Sequence, residues 1–254
     1  MADPFVAVSV SDDHVATVTL CRPPNNFFSS AMIAELADAF ETLDEDRSCR
    51  AIVLAADGKH FCAGADFSSA GPADSTGDLY RAAVRLFRTR KPFIAAVQGA
   101  AIGGGLGVVM AADFRVAAPE ARFSANFARL GFHHGFGLSV TLPAAVGGQH
   151  AADLLYTGRR ITGDEAAVIG LVDRVVPLHQ LESTANDLAA EIAGSAPLAV
   201  QSIRATLRGD LADRVAAATD HERAEQERLR RTVDFREGTR AMSERRPPQF
   251  TGVE

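Results

Sequence analysis

KPFIAAVQGAAIGGGLGVVMAAD, spanning Lys91 to Asp113, is the stretch whose reading decides how this chain folds. From Pro92 to Ala112 no side chain is charged, and glycines at 99, 103, 104, 105 and 107 interrupt a run otherwise long enough to cross a membrane. Gln98 and the clustered glycines, each about 1 kcal/mol worse than alanine inside a helix, favour a buried strand running into a glycine-rich helix start. Without a β-carbon, such a turn lets a ligand approach the main chain, and the first amides of a helix point outward without an intrahelical partner. Together with the helix dipole they make a socket for an oxygen that carries negative charge. The stretch contains no Gly-x-Gly-x-x-Gly and no glycine followed by Lys-Ser or Lys-Thr, which removes the dinucleotide and P-loop readings.

The rest of the sequence builds a setting for that turn. The 254 residues are 47% hydrophobic and 23% charged, enough to bury one large core with an appended helical segment. A net charge of −6, no tryptophan and two tyrosines give no footprint for nucleic acid or an anionic membrane. Cys21, Cys49 and Cys62 share no Cys-x-x-Cys spacing, so neither a disulfide framework nor a metal site is expected. A reducing cytoplasmic setting is the expectation. The N-terminus, MADPFVAVSV, shows no secretory signal pattern.

Working outward, Phe5 to Val10 and His14 to Leu20 alternate as two antiparallel strands around Ser11-Asp12-Asp13. Ser29 or Ser30 can cap a helix with Met32, Ile33, Leu36, Phe40 and Leu43 on one face. Ala51 to Ala55 reads as a strand buried on both faces, followed by the small-residue turn HFCAGAD at 60–66. Ligands of open α/β sheets sit at such carboxyl ends. Ser68 to Gly77 reads as a loop beside the site, and about Asp78 to Arg90 as a helix. Strand, exposed turn, helix, strand and exposed turn then follow in succession, a βαβ repeat whose two turns can aim their amides at one atom. Beyond Asp113 come the strand FRVAA, the unusual HHGFG at 133–137, two helical segments separated by Gly147-Gly148, and ITGDEAAVIGLVDRVVP. In that last segment Thr162 caps a short helix ended by Gly170, before a strand from Val172 to Val176. From Leu178 the chain is almost wholly helical, and the run HERAEQERLRR reads as a solvated face.

FCAGADF, the 91–113 stretch, TGRRITGDEAAVIGLVDRVVP and the tail DFREGTRAMSERRPPQFTG together resemble the enoyl-CoA hydratase/isomerase family, also called the crotonase family. The resemblance implies an α/β fold, a crotonase-like spiral of ββα units over 1–195, with a C-terminal helical region over 196–254 that packs between subunits of a homotrimer or dimer of trimers. It implies an acyl-CoA substrate, coenzyme A entering as part of that substrate with no separate cofactor. By position it places the two amides that hold the thioester oxygen on Ala63 and Gly104, with Ala63, Gly64, Ala65, Asp66 and Gly104 as coenzyme-binding residues and Arg22, with Arg245 or Arg246 of the tail, as candidates to meet its phosphates. Each such amide is worth about 3 to 4 kcal/mol as charge moves onto the oxygen.

The sequence departs from the family where hydratases carry two glutamates. Those positions fall on Gly107 and Phe127, neither of which can move a proton. His134 is the provisional proton-transfer residue in their place. Two readings follow: an acyl-CoA enzyme with an atypical site, or a binding protein that kept the pocket and lost the chemistry. Gly107, Phe127, Phe132 and Phe136 suggest an apolar cavity tolerant of aromatic groups.

Overall fold

The structure is a computed structural model that describes residues 4–65 and 74–253. β1 (Val6–Val10) and β2 (Val15–Leu20) form the expected antiparallel pair, and α1 (Ser30–Glu45) follows. Ser29 is its cap, the hydroxyl accepting from Met32 N at 3.2 Å. The five apolar positions read from helical spacing are all buried. β3 (Ala51–Ala56) leads to α2 (Asp74–Arg88), which starts four residues earlier than its sequence implied, so 74–77 are helical and 68–73 of the expected loop fall outside the described residues. Next come β4 (Phe93–Val97), β5 (Ala100–Ile102) and α3 (Gly104–Ala111). β6 (Phe114–Ala117), β7 (Arg122–Ser124), a 3-10 turn over Ala128–Leu130 and α4 (Leu138–Thr157) complete the next circuit, with a break at Gly147 where two helices were expected.

β8 (Ile161–Thr162), α5 (Gly163–Val168) and β9 (Arg174–Val175) close the core; Thr162 caps α5, and β9 is shorter than the strand read for it. Four helices finish the chain: α6 (Leu181–Ala193), α7 (Pro197–Arg208), α8 (Leu211–Leu229) and α9 (Val233–Ser243). Pro197 opens α7 rather than breaking a helix, its fixed φ suiting the first turn.

Two sheets result. The larger runs β1-β2-β3-β4-β6-β9, parallel except for the first pair, and the smaller runs β5-β7-β8. Each circuit lays one strand in the large sheet, turns a corner, and adds the next to the small one: β4 to β5 across Gln98-Gly99, β6 to β7 across Ala118–Ala121. Isolated parallel bridges Cys62↔Ala101 and Phe28↔Ala65 extend the same stacking to the two earlier circuits. A spiral of repeated strand-strand-helix units is what the sequence resemblance implied.

The strand pattern explains the layering. Ile52, Leu54, Phe93, Ala95 and Val97 face the main core with α1, α2 and α3, while Val53, Ile94, Ala96 and Val116 face α6, whose Leu181, Ala185 and Leu188 cover the back of the sheet. Alternation within near-continuous apolar runs is how a parallel sheet buries both faces. Asp113, just after α3, ties the sheet to α7: its carboxylate accepts from Phe93 N at 2.9 Å and Arg204 Nε at 2.9 Å, with Arg208 Nε at 3.3 Å. The tail folds back onto the spiral, α8 packing on α2 and α4 with Val215 inside the main core.

Candidate active site

The spiral brings its turns to one place. Cys62 N donates to Ala100 O at 2.9 Å and Ile102 N to Cys62 O at 3.0 Å, so the turn after β3 runs beside β5 and both end level with each other. Phe28 N donates to Gly64 O at 3.1 Å, adding the segment after β2 as a third parallel neighbour. Asn26 pins that segment: its buried side chain accepts from Arg22 N at 2.8 Å and donates to Asp57 O and His60 O, both at 2.7 Å. His60 Nδ1 in turn accepts from Ala100 N at 3.2 Å, steadying the start of β5, and burial keeps this ring below its ordinary pKa.

Close packing of these turns is why they are made of small residues. A β-carbon on Gly105 would lie 2.3 Å from Cys62 O, inside the backbone of the neighbouring turn. Gly64 has φ +100°, a conformation side chains rarely adopt, and that twist carries the chain from Ala63 to Ala65.

The amides identify which residues are free to bind. Ala63 N donates to Asn25 O at 2.9 Å, so the expectation that it holds an oxygen is corrected: its hydrogen is already committed. Gly103 N is likewise spent on Ser124 O at 2.8 Å. Ala65 N and Gly104 N have no acceptor among the described residues, and both residues line one cavity of ≈ 300 Å³. Gly104 is also the first residue of α3, at the positive end of a helix buried along its length. Gly64 and Ala63 line the cavity as well, Arg22 stands just behind it with NH1 on Phe27 O at 2.8 Å, and Asp66 lies outside the described residues.

The remaining wall is aromatic. Phe28 and Phe136 meet edge to face at 6.4 Å between centroids, Phe127 and Phe132 at 5.5 Å. Phe136 closes the space above Gly107, the first of the two positions where the family resemblance led to a glutamate being expected: a β-carbon there would come within 2.5 Å of it. Phe136 is held at φ 63°, left-handed backbone that is costly for a bulky side chain. Phe127, at the second such position, lines the cavity itself.

His134 does not reach this cavity. Its Nε2 pairs with Ser139 Oγ at 2.8 Å and its ring stacks on His133 at 4.1 Å, while Gly135 and Phe136 carry the chain into the lining. Burial, reinforced by His133 and His221, pulls it down to about 4. Ser139 is in turn held by Glu222 of α8, a fully buried carboxylate that accepts from Ser139 Oγ at 2.6 Å, Gly137 N at 2.9 Å and Ser139 N at 3.0 Å. The cluster caps the start of α4. Cys62 is pushed up to about 11 by burial and offers no thiolate. Arg246, from the tail, pairs with Glu237 and Glu244.

The sequence reading missed the polar members of the wall: Tyr80 from α2, Asn126, and Gln226 and Arg230 from α8. Burial, followed by the Glu222 charge, raises Tyr80 above the ordinary phenol and holds its proton on oxygen. The signal for α8 was spacing rather than polarity. Val215, Thr219, Glu222 and Gln226 recur at four, three and four residues, the rhythm of a buried helix face, which continues into the run expected to be solvated.

A family model described as enoyl-CoA hydratase/isomerase matches residues 11–253. An enoyl-CoA hydratase of Mycobacterium tuberculosis, EchA19, is 35% identical over 249 residues, 93% of each chain. The 1,2-epoxyphenylacetyl-CoA isomerase of Escherichia coli is 32% identical over 249 residues, 94% of this chain and 95% of that one. Among solved structures, an enoyl-CoA hydratase/isomerase from Pseudoalteromonas atlantica superposes with a TM-score of 0.88 at 31% identity, covering 97% of this chain and all of the other.

Proposed function

The chain belongs to the enoyl-CoA hydratase/isomerase family, and on that premise we propose that it acts on an acyl-CoA thioester whose carbonyl oxygen sits between Ala65 N and Gly104 N. The observation that carries this is the pair of uncommitted amides at the ends of adjacent turns, both lining the one apolar cavity. As the thioester takes on enolate or tetrahedral character, charge collects on that oxygen and both hydrogen bonds strengthen, each by about 3 kcal/mol. The donors are fixed by the spiral before substrate arrives, so no reorganisation opposes the step.

Hydration through two glutamates does not suit this cavity, because Phe136 fills the first position and Phe127 holds the second. Among the described residues the cavity's ionisable side chains are Tyr80 and Arg230 alone. The chemistry that fits is therefore one in which the carbonyl is polarised and the acyl group itself rearranges or fragments, with the Tyr80 hydroxyl among the hydrogen-bond donors that line the cavity. That no carboxylate lines the cavity among the described residues equally favours a second reading, an acyl-CoA-binding protein without turnover. Calorimetry and a turnover screen over short to long enoyl- and 3-oxoacyl-CoA esters separate the two: binding with product formation supports the enzyme, binding alone supports the carrier, and no binding refutes both.

Assembly as a trimer or pair of trimers belongs to the same proposal. α7 leaves Leu198, Ile203 and Leu207 exposed at 79%, 60% and 82%, an apolar face a subunit contact would cover. Sedimentation at micromolar concentration should give a species larger than the monomer.

A further inference from the structure

The series of inward-facing residues on α8 ends, one step past the helix, on Arg230. Glu222 spends its oxygens on the start of α4, and Gln226 Nε2 donates to His133 O at 2.9 Å. Arg230 is different. It lines the cavity, its guanidinium lies 5.6 Å from the Phe132 ring centroid and 6.0 Å from that of Phe235, and its Nε is buried without a hydrogen-bond acceptor. No carboxylate pairs with it among the described residues. The arginines with the most buried side chains have acids beside them, Arg204 and Arg208 sharing Asp113 and Arg115 facing Asp173.

An always-charged group placed in a mostly apolar cavity with no counter-ion among the described residues is costly unless something supplies the charge. Stacking on two aromatic faces recovers part of that cost and also fixes the guanidinium plane, leaving its N–H edge to fork onto a planar anion. The wall that carries Arg230 belongs to α8 and the Phe132 segment, separate in the chain from the turns that present Ala65 and Gly104.

We infer that the acyl group taken by this cavity carries a carboxylate remote from the thioester, a dicarboxylic acid held as its mono-CoA ester, with Arg230 as the residue that recognises it. The inference rests on the acyl-CoA reading above and narrows it. Coenzyme A phosphates are anions too, so the test must tell the two apart. Binding to the full-length protein is measured by calorimetry for free coenzyme A, pentanoyl-CoA and glutaryl-CoA, the two esters having equal chain length, with the wild type, Arg230→Met and Arg230→Lys.

The expected result is glutaryl-CoA binding about 10-fold or more tighter than pentanoyl-CoA in the wild type, a ratio that falls toward one in Arg230→Met and is partly kept in Arg230→Lys. Equal affinity of the wild type for the two esters overturns the inference whatever the variants do. So does an Arg230→Met variant that weakens free coenzyme A and both esters alike, which would assign the residue to a phosphate. If coenzyme A and every ester fail to bind, the acyl-CoA reading itself falls, whereas binding without preference removes only the carboxylate.

Discussion

One wall of the cavity is made of backbone and the opposite wall of side chains, and they obey different rules. At Cys62–Ala65 and Gly103–Gly105 the working atoms are amides, and side chains must be small or missing because the turns touch. Across from them Phe127, Phe136, Tyr80 and Arg230 define the space, and the backbone only carries them. The first wall is the part that any acyl thioester needs for its carbonyl. The second sets which acyl group fits and which proton can move. On the proposed reading a chain can keep the first and rebuild the second, with Phe136 packed against Gly107 as the case in point.

If that division holds, the smallest addition to the backbone wall should have the largest effect. A β-carbon at Gly104 would sit 2.3 Å from the Phe28 ring, so Gly104→Ala forces the ring or the amide out of place. Turnover of the ester found by the screen should drop about 100- to 1000-fold, read from kcat, with a far-UV spectrum like the wild type. A kcat within a few-fold would mean that Gly104 does not hold the oxygen.

On the side-chain wall the expected losses are in stability. Glu222→Ala leaves two amides and a hydroxyl without their acceptor at the start of α4, costing roughly 3 to 4 kcal/mol in a urea melt. Next, Gly107→Glu drives its β-carbon into Phe136 and should cost about 2 kcal/mol by overpacking, with no hydration of crotonyl-CoA gained. Combining it with Phe136→Gly frees the space and relieves the left-handed backbone, so the double variant should recover most of the stability lost by the single one. Equal behaviour of the single and double variants would show that Phe136 is not what fills the glutamate position.

The histidine cluster gives the smallest effect. His134 has a folded-state pKa near 4 against an ordinary 6.5, so the unfolded chain takes up the proton first. Its contribution is whole above pH 6.5 and is lost as the pH falls from 6.5 toward 4. With the ring 20% exposed, the loss should be about 2 kcal/mol, and His134→Gln should flatten that part of the curve without changing the pH dependence of kcat. A catalytic His134 would do the reverse.

How far the sequence could be read follows the same line. Glycine clusters, Ser29 and Thr162 caps, and alternating apolar strands each state a local backbone requirement, and each was legible. The two exposed turns were found for that reason. Which amide within the turn is free was not legible, because it depends on Asn25 O, thirty-eight positions away from Ala63 in the chain, reaching one hydrogen and not another. His134 looked catalytic from its pair and neighbouring glycine, yet its direction is set by Ser139 and Glu222. Tyr80 and Arg230 were hidden because charge and hydroxyl usually mean surface; only the four-three-four spacing on α8 marked that face as buried.

A crystal structure with a bound acyl-CoA ester tests the central claim most directly. The account predicts the thioester oxygen about 2.7 to 3.1 Å from both Ala65 N and Gly104 N, with Ala63 N still on Asn25 O. An oxygen held by Ala63 N, or one reached by neither turn, would contradict it.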